Sequence, residues 1–179
     1  SPPADYLAEW SDHFRQADLE ADGDDQASLS ILIFRIGAEW MALPTMIFQE
    51  VAELRPVHSL PRRRTGPLLG IVNVRGEILA CLSLARLFDI AAAEAVPAAR
   101  AGLAHRRLLV VGRAGRRIAL PVDEVYGGHR CHPSALDPVP ATLAAGQAPF
   151  VQGVLDWKER AVGCLDADRL LDAIDRSLA

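Results

Sequence analysis

The feature that most constrains this chain is an internal repeat. Ile31-Leu32-Ile33-Phe34 followed by Ala42-Leu43-Pro44 returns 77 positions later as Leu108-Leu109-Val110-Val111 followed by Ala119-Leu120-Pro121. Gly70-Ile71-Val72-Asn73 and Cys81-Leu82-Ser83 with Arg86-Leu87 return 83 positions later as Gly153-Val154-Leu155-Asp156 and Cys164-Leu165-Asp166 with Arg169-Leu170. The offset grows by six, so one loop is longer in the second copy. A duplicated order of apolar strands, turn and short helix implies two similar units. Scaffold residues should recur between the copies, and site residues should differ.

The periodicity predicts what each unit contains. Short runs rich in Ile, Val and Leu, bounded by Gly, Pro or charge, read as strands over 29–36, 39–43, 47–54, 71–74 and 77–84. The second copy repeats them over 106–112, 116–122, 123–130, 150–157 and 160–165. Residues 55–67, with Arg62-Arg63-Arg64, and 133–149 read as loops, and 91–104 as an alanine-rich connector. One or two helical turns fit 84–89. A helix fits 166–178, with Asp166 or Asp168 as cap and Leu170, Leu171, Ile174 and Leu178 as its apolar stripe. Residues 4–21 carry Leu7, Trp10, Phe14 and Ala17 at helical spacing, so an amphipathic helix and linker are expected over 1–28. Five short strands per copy suggest small closed antiparallel barrels, which leave no bare sheet edge. The predicted fold class is therefore all-β, two five-stranded barrels at about 29–90 and 105–179, with an N-terminal and a C-terminal helix.

Composition narrows the function. The 179 residues are 50% apolar and 23% charged, an ordinary globular balance that excludes general disorder. A net charge of −4 gives no pull toward nucleic acid or an anionic membrane. No apolar run approaches the ~18 residues that span a bilayer, and nothing resembles a signal peptide, so a cytoplasmic location and no membrane insertion are expected. The chain opens Ser-Pro-Pro without a methionine, which suggests that residues upstream of Ser1 have been removed.

The copies diverge most at one turn. The first has Asn73-Val74-Arg75-Gly76-Glu77; the second has Asp156-Trp157-Lys158-Glu159-Arg160, without glycine. Gly76 suits the positive φ of a tight turn. Asn73 is suited to bonding nearby backbone, and Arg75 then sits beside a rigid turn with its planar fork available to a carboxylate.

At these residues the chain resembles a family. Phe34-x-Ile36-Gly37, Phe48-Gln49-Glu50-Val51, Gly70-Ile71-Val72-Asn73-Val74-Arg75-Gly76, Leu82-x-Leu84, Pro121-Val122-Asp123-Glu124-Val125 and Gly153-Val154 are similar, in that order, to the CheW domain of bacterial chemosensory coupling proteins. The resemblance implies two SH3-like five-stranded barrels and a non-catalytic adaptor. Such an adaptor links the cytoplasmic hairpin tip of a chemoreceptor to the regulatory domain of a CheA-type histidine kinase, with other CheW-like domains as further partners. It implies that Glu50, Asn73 and Arg75 shape the receptor-facing surface and that Phe48 and Gly70 are tied to coupling the kinase; Val74 and Gly76 of the same hairpin are expected among the partner-binding residues. The family usually carries proline and aspartate where this chain has Ala80, Cys81 and Ser83, which suggests a divergent member. One alternative is a CheW-like regulatory domain cut from a histidine kinase. Another is a small redox or metal protein using Cys81, Cys131 and Cys164.

The residues themselves offer little to catalysis. No hydrolase elbow, zinc-protease helix, Walker loop or dinucleotide fingerprint occurs. Asp123 and Glu124 are adjacent, so on a strand they point to opposite faces. His129-Arg130-Cys131-His132 holds up to three soft ligands, short of the four a structural zinc needs. Cys81 and Cys164 occupy equivalent apolar strands and form a redox pair only if the barrels face each other closely. No cofactor or metal is expected, and protein partners are. Arg62-Arg63-Arg64 lacks neighbouring aromatics for base stacking, so no nucleic-acid partner is expected.

Overall fold

A computed structural model describes residues 28–60, 66–90 and 105–179. The expected N-terminal helix, the run Arg62-Arg63-Arg64 and the 91–104 connector lie outside the described residues. The elements are β1 (Leu29–Ile36), β2 (Glu39–Pro44), β3 (Phe48–Glu53), β4 (Leu68–Val74), β5 (Glu77–Leu82), α1 (Leu84–Leu87), β6 (Arg107–Val111), β7 (Ile118–Val122), β8 (Glu124–Cys131), β9 (Val151–Trp157), β10 (Arg160–Leu165) and α2 (Ala167–Leu178).

The strands form two five-stranded sheets, ordered β8-β1-β2-β10-β9 and β3-β6-β7-β5-β4. The sheets therefore cross the division expected at 29–90 and 105–179. Numbered within each copy, both sheets read 3-1-2-5-4, and in both the first hairpin comes from the opposite half of the chain. The repeat is real in sequence and order, and the two halves have exchanged their leading hairpins. Each exchanged hairpin meets its new neighbour through a short parallel contact, Gly163 and Cys164 beside Met41 and Ala42, and Ala80 and Cys81 beside Ile118 and Ala119. Pro44 and Pro121 lie two residues past those contacts, where the parallel pairing has ended.

Both sheets close in the same way. The chain leaving β3 lays His58 against Ile71 of β4, with N–H···O bonds of 2.8 and 2.9 Å. The chain leaving β8 lays Asp137 against Val154 of β9 at 2.8 and 2.9 Å. These bridges join the first and last strand of each sheet into an SH3-like barrel. Gly70 and Gly153 stand next to the bridges in equivalent places.

The strands are apolar on both faces because both faces are buried. Ile31 and Ile33 of β1 fill their own barrel, while Leu32, Phe34 and Ile36 face the other unit. Leu108 and Val110 of β6 fill the second barrel, and Leu109 and Val111 again face across. Continuous apolar runs, rather than alternation, are what such double burial demands. The largest core cluster thus lies between the units and welds them into one body. Onto it α2 packs Leu170, Leu171 and Ile174. The Asp166 carboxylate caps α2 by accepting from Arg169 N at 3.0 Å, which settles the choice between Asp166 and Asp168. Ser83 caps α1 at the equivalent position, accepting from Arg86 N at 3.2 Å.

Candidate protein-docking site

The β4–β5 hairpin turns through two residues. Arg75 (φ 52°) and Gly76 (φ 84°) both hold positive φ between the paired Val74 and Glu77, the two-residue geometry whose twist matches antiparallel strands. Arg75 is therefore itself a turn residue, held in a conformation that non-glycine residues seldom adopt. The Asn73 Oδ1 accepts from Gly76 N at 2.8 Å and locks the tip. Along β4 the side chains alternate: Val72 and Val74 fill the barrel, and Asn73 faces solvent opposite Ile78, which is 59% exposed.

Glu50 reaches this tip because β3 bulges against β6. The register slips between Phe48 and Glu50, so Gln49 is an extra residue and the strand twists there. The Glu50 carboxylate, mostly buried, lies 3.7 Å from Arg75 Nη1 and 3.1 Å from Arg117 Nη2. Arg117 donates from Nε to Gln49 Oε1 at 2.9 Å and also pairs with Glu77. The result is a chain of alternating charge, Arg75–Glu50–Arg117–Glu77, across three strands. At 3.7 Å and half exposed, the Arg75 pair adds a few tenths of a kcal/mol. Its effect is a bias in direction: it draws the Arg75 guanidinium toward Glu50, which Arg117 also meets.

The structure thus brings together Glu50, Asn73, Arg75 and Gly76 from the sequence-named set. Phe48 and Val74 are buried, and Gly70 is buried with them, so these three shape the site from beneath. At Gly70 (φ 149°) an added Cβ would lie 2.1 Å from His58 O, inside the bridge that closes the barrel. Sequence reasoning missed Gln49, Glu77, Ile78 and Arg117. The repeat carries the signal for two of them, since Arg117 and Gln49 align with Trp40 and Tyr126 of the other unit, a change of character that the divergent tip already invited.

The remaining candidates have other tasks. The Asp123 Oδ2 accepts from Gly37 N at 2.6 Å and its Oδ1 lies 3.3 Å from Arg106 Nε. The Glu124 Oε2 holds Arg35 at 3.4 Å and the Tyr126 hydroxyl at 2.7 Å. Both carboxylates knit loops to strands. The His132 Nδ1 accepts from Ser134 N at 3.2 Å and caps a 3-10 turn. Cys81 lies inside one barrel and Cys164 with Cys131 inside the other, so the pairing of Cys81 with Cys164 is not brought about. Burial pushes the Cys81 and Cys164 thiols up to about 12, which removes their nucleophilic form at neutral pH. Among the described residues no group of three or more His, Cys, Asp or Glu side chains could hold a metal ion, and no helix is long and apolar enough to cross a membrane. The site offers charge, amide and apolar surface to a partner, with no nucleophile beside a base.

A sequence model of the CheW-like domain matches residues 30–175. This chain belongs to the CheW-like domain family. A probable chemotaxis protein CheW of Rhizobium etli is 22% identical over 156 residues, covering 87% of this chain and 95% of that protein. The chemotaxis protein CheW of Rhizobium meliloti is 22% identical over 150 residues, covering 83% and 91%. The solved scaffolding protein TtCheW of Thermoanaerobacter tengcongensis superposes with a TM-score of 0.64 at 19% identity, covering 81% of this chain and 88% of that one. That likeness establishes the CheW fold of two SH3-like barrels for this chain. The CheW-like family is one of chemotaxis scaffolds.

Proposed function

We propose that this CheW-like protein is a cytoplasmic, non-catalytic adaptor that couples the cytoplasmic tips of chemoreceptors to a CheA-type histidine kinase. The observation that carries the reading is the Arg75–Glu50 pair on a two-residue turn locked by Asn73. The two charged residues that the resemblance assigns to the receptor-facing surface, Glu50 on β3 and Arg75 in the β4–β5 turn, meet there. A receptor's helical hairpin would lie against β4 and β5, its apolar positions meeting Ile78 and its carboxylates meeting Arg75. Phe48 and Gly70 support kinase coupling through the shape of the β3–β4 region beneath, since neither is free to make a large contact of its own. Other CheW-like domains are further partners on the same logic of barrel meeting barrel. Coupling then needs only that receptor states differ in affinity for the first hairpin, because binding at one surface shifts the other by that difference.

Arg75→Ala tests this directly. The variant is expected to weaken binding of a purified receptor hairpin by about tenfold or more while leaving binding of the purified kinase regulatory domain and the thermal midpoint unchanged. Equal loss at both partners, or no loss at either, refutes the assignment.

A further inference from the structure

The two barrels have the same tip in backbone and opposite tips in chemistry. Lys158 (φ 48°) and Glu159 (φ 63°) turn the β9–β10 hairpin as Arg75 and Gly76 turn the first, although neither is glycine. The β8 strand bulges at Tyr126 where β3 bulges at Gln49. By the repeat, Trp40 stands for Arg117, Tyr126 for Gln49, Trp157 for Val74, Lys158 for Arg75 and Arg160 for Glu77. Glu50 has Gly127 as its counterpart, so the carboxylate that neutralises the first tip is absent from the second.

What replaces the charge chain is a cluster of rings. Trp40 stacks on Tyr126 with centroids 4.1 Å apart, and Trp157 meets both at 5.7 Å. Their inner faces close the barrel against its core. Arg160 lies 3.9 Å above the Trp40 ring and Lys158 Nζ 4.7 Å above Trp157. Both cations are exposed, and neither makes an ion pair among the described residues. Asp156 and Glu159 share the hairpin and are likewise exposed, yet neither pairs with these cations. Ring contacts hold each cation in place, so little side-chain freedom remains to be lost when an anion arrives. The guanidinium fork of Arg160 suits a carboxylate, and the ring edges beside it suit an aliphatic side chain.

We propose that this second tip, Trp40, Tyr126 and Trp157 beneath Lys158 and Arg160, is a docking surface for an acidic, leucine-bearing segment of a partner protein. Charge complementarity selects that occupant: Lys158 and Arg160 lie over rings and are left unpaired by Asp156 and Glu159 of the same hairpin, so they can take carboxylates, and the rings want apolar contact. A nucleic acid fits poorly, because two cations on a chain of net charge −4 release few counterions. The surface is on the other hairpin from Arg75 and does not depend on the receptor reading.

Fluorescence provides the test, because Trp40 and Trp157 are two of the three tryptophans in the sequence. In the 179-residue chain carrying Trp10→Phe, emission comes from the proposed surface alone. The probes are a 12-residue peptide alternating Glu or Asp with Leu, the same peptide with Gln and Asn, and a 12-residue oligothymidine. The acidic peptide is expected to give a saturable emission change. That change should weaken at least about tenfold in the pair Lys158→Ala with Arg160→Ala, equivalent to about 1.4 kcal/mol, and weaken again at high salt. Circular dichroism of the variant should match the parent, since both side chains are exposed. No saturable change, equal binding of the amide peptide, tighter binding of the oligothymidine, or undiminished binding by the variant each overturns the proposal. So does an emission change that tracks protein concentration with dimer in sedimentation, which would make a second copy the occupant.

Discussion

Gly70→Ala is a sharp test of how the first barrel is closed. The added methyl would stand 2.1 Å from His58 O, 2.7 Å from His58 C and 2.9 Å from Ser59 Cα, all backbone atoms that cannot rotate away. Relief requires moving the strap that carries His58, which breaks the bonds of 2.8 and 2.9 Å to Ile71. Two such bonds contribute about 1–3 kcal/mol together. A non-glycine residue at φ 149° adds about 1–3 kcal/mol of backbone strain. The expected loss is therefore about 4 kcal/mol, or roughly 10 °C or more in melting temperature for a chain of this size. Gly76→Ala is the control. Its φ of 84° is also unfavourable, but nothing lies within 4 Å of the added atom, so about 1–2 kcal/mol is expected. Gly153→Ala should fall between them, because the atom it meets at 2.8 Å is Leu136 Cβ and the bridging Asp137 O is 3.2 Å away. Urea unfolding followed by far-ultraviolet circular dichroism gives all three on one scale, with unchanged slope as the check on comparability. A loss below about 1 kcal/mol at Gly70, or an equal loss at Gly70 and Gly76, refutes closure by the His58 strap. Loss of kinase binding by Gly70→Ala should then accompany the loss of stability. A variant as stable as the parent that still failed to bind kinase would make Gly70 a direct contact instead.

Other outcomes follow from the same structure. Residues 28–90 and 105–179 produced separately should each lack folded circular dichroism, and mixing them should restore it, because each sheet needs strands of both. Asp166→Ala removes the bond to Arg169 N and should cost about 1 kcal/mol in the same urea assay, while Asp168→Ala should cost less. Cys81 and Cys164 stay protonated in the folded protein up to about 12, whereas unfolded thiols ionise near 8.5. The unfolded state thus binds fewer protons above that pH. Stability is full below about pH 8.5 and should fall by roughly 1.4 kcal/mol per pH unit per thiol as pH rises toward 12. Replacing both by Ala should flatten that slope, and a slope unchanged by the double replacement would contradict the burial of these thiols.

Much of this fold could be read from the residues alone. The repeat carried the number of strands, their order within each half, the helical turn at 84–89 and the capped C-terminal helix, because β-branched runs, Pro44 and Pro121, and Asp166 act locally; the Ser83 cap was not read. The exchange of leading hairpins could not be read, since either partner offers the same apolar faces and the same register; the choice lies in long-range packing across the central cluster. At the site, Asn73 and Gly76 were legible as turn chemistry. The pairing of Glu50 with Arg75 rests on a bulge at Gln49 that no local pattern announces. Arg117 was invisible as a partner until the strands were placed, because it enters from the opposite half of the chain.

The hairpin exchange also has a consequence in time. The β1–β2 hairpin leaves the ribosome first, but its sheet is completed by β8, β9 and β10, the last of which ends at Leu165. At ordinary rates of synthesis the interval is roughly 6–24 s. Throughout it, the nascent chain exposes Phe34, Met41 and Leu43 to anything that binds apolar strands. Chaperone demand for such a protein should rise as translation slows, because slower synthesis lengthens that exposure rather than helping the chain to fold.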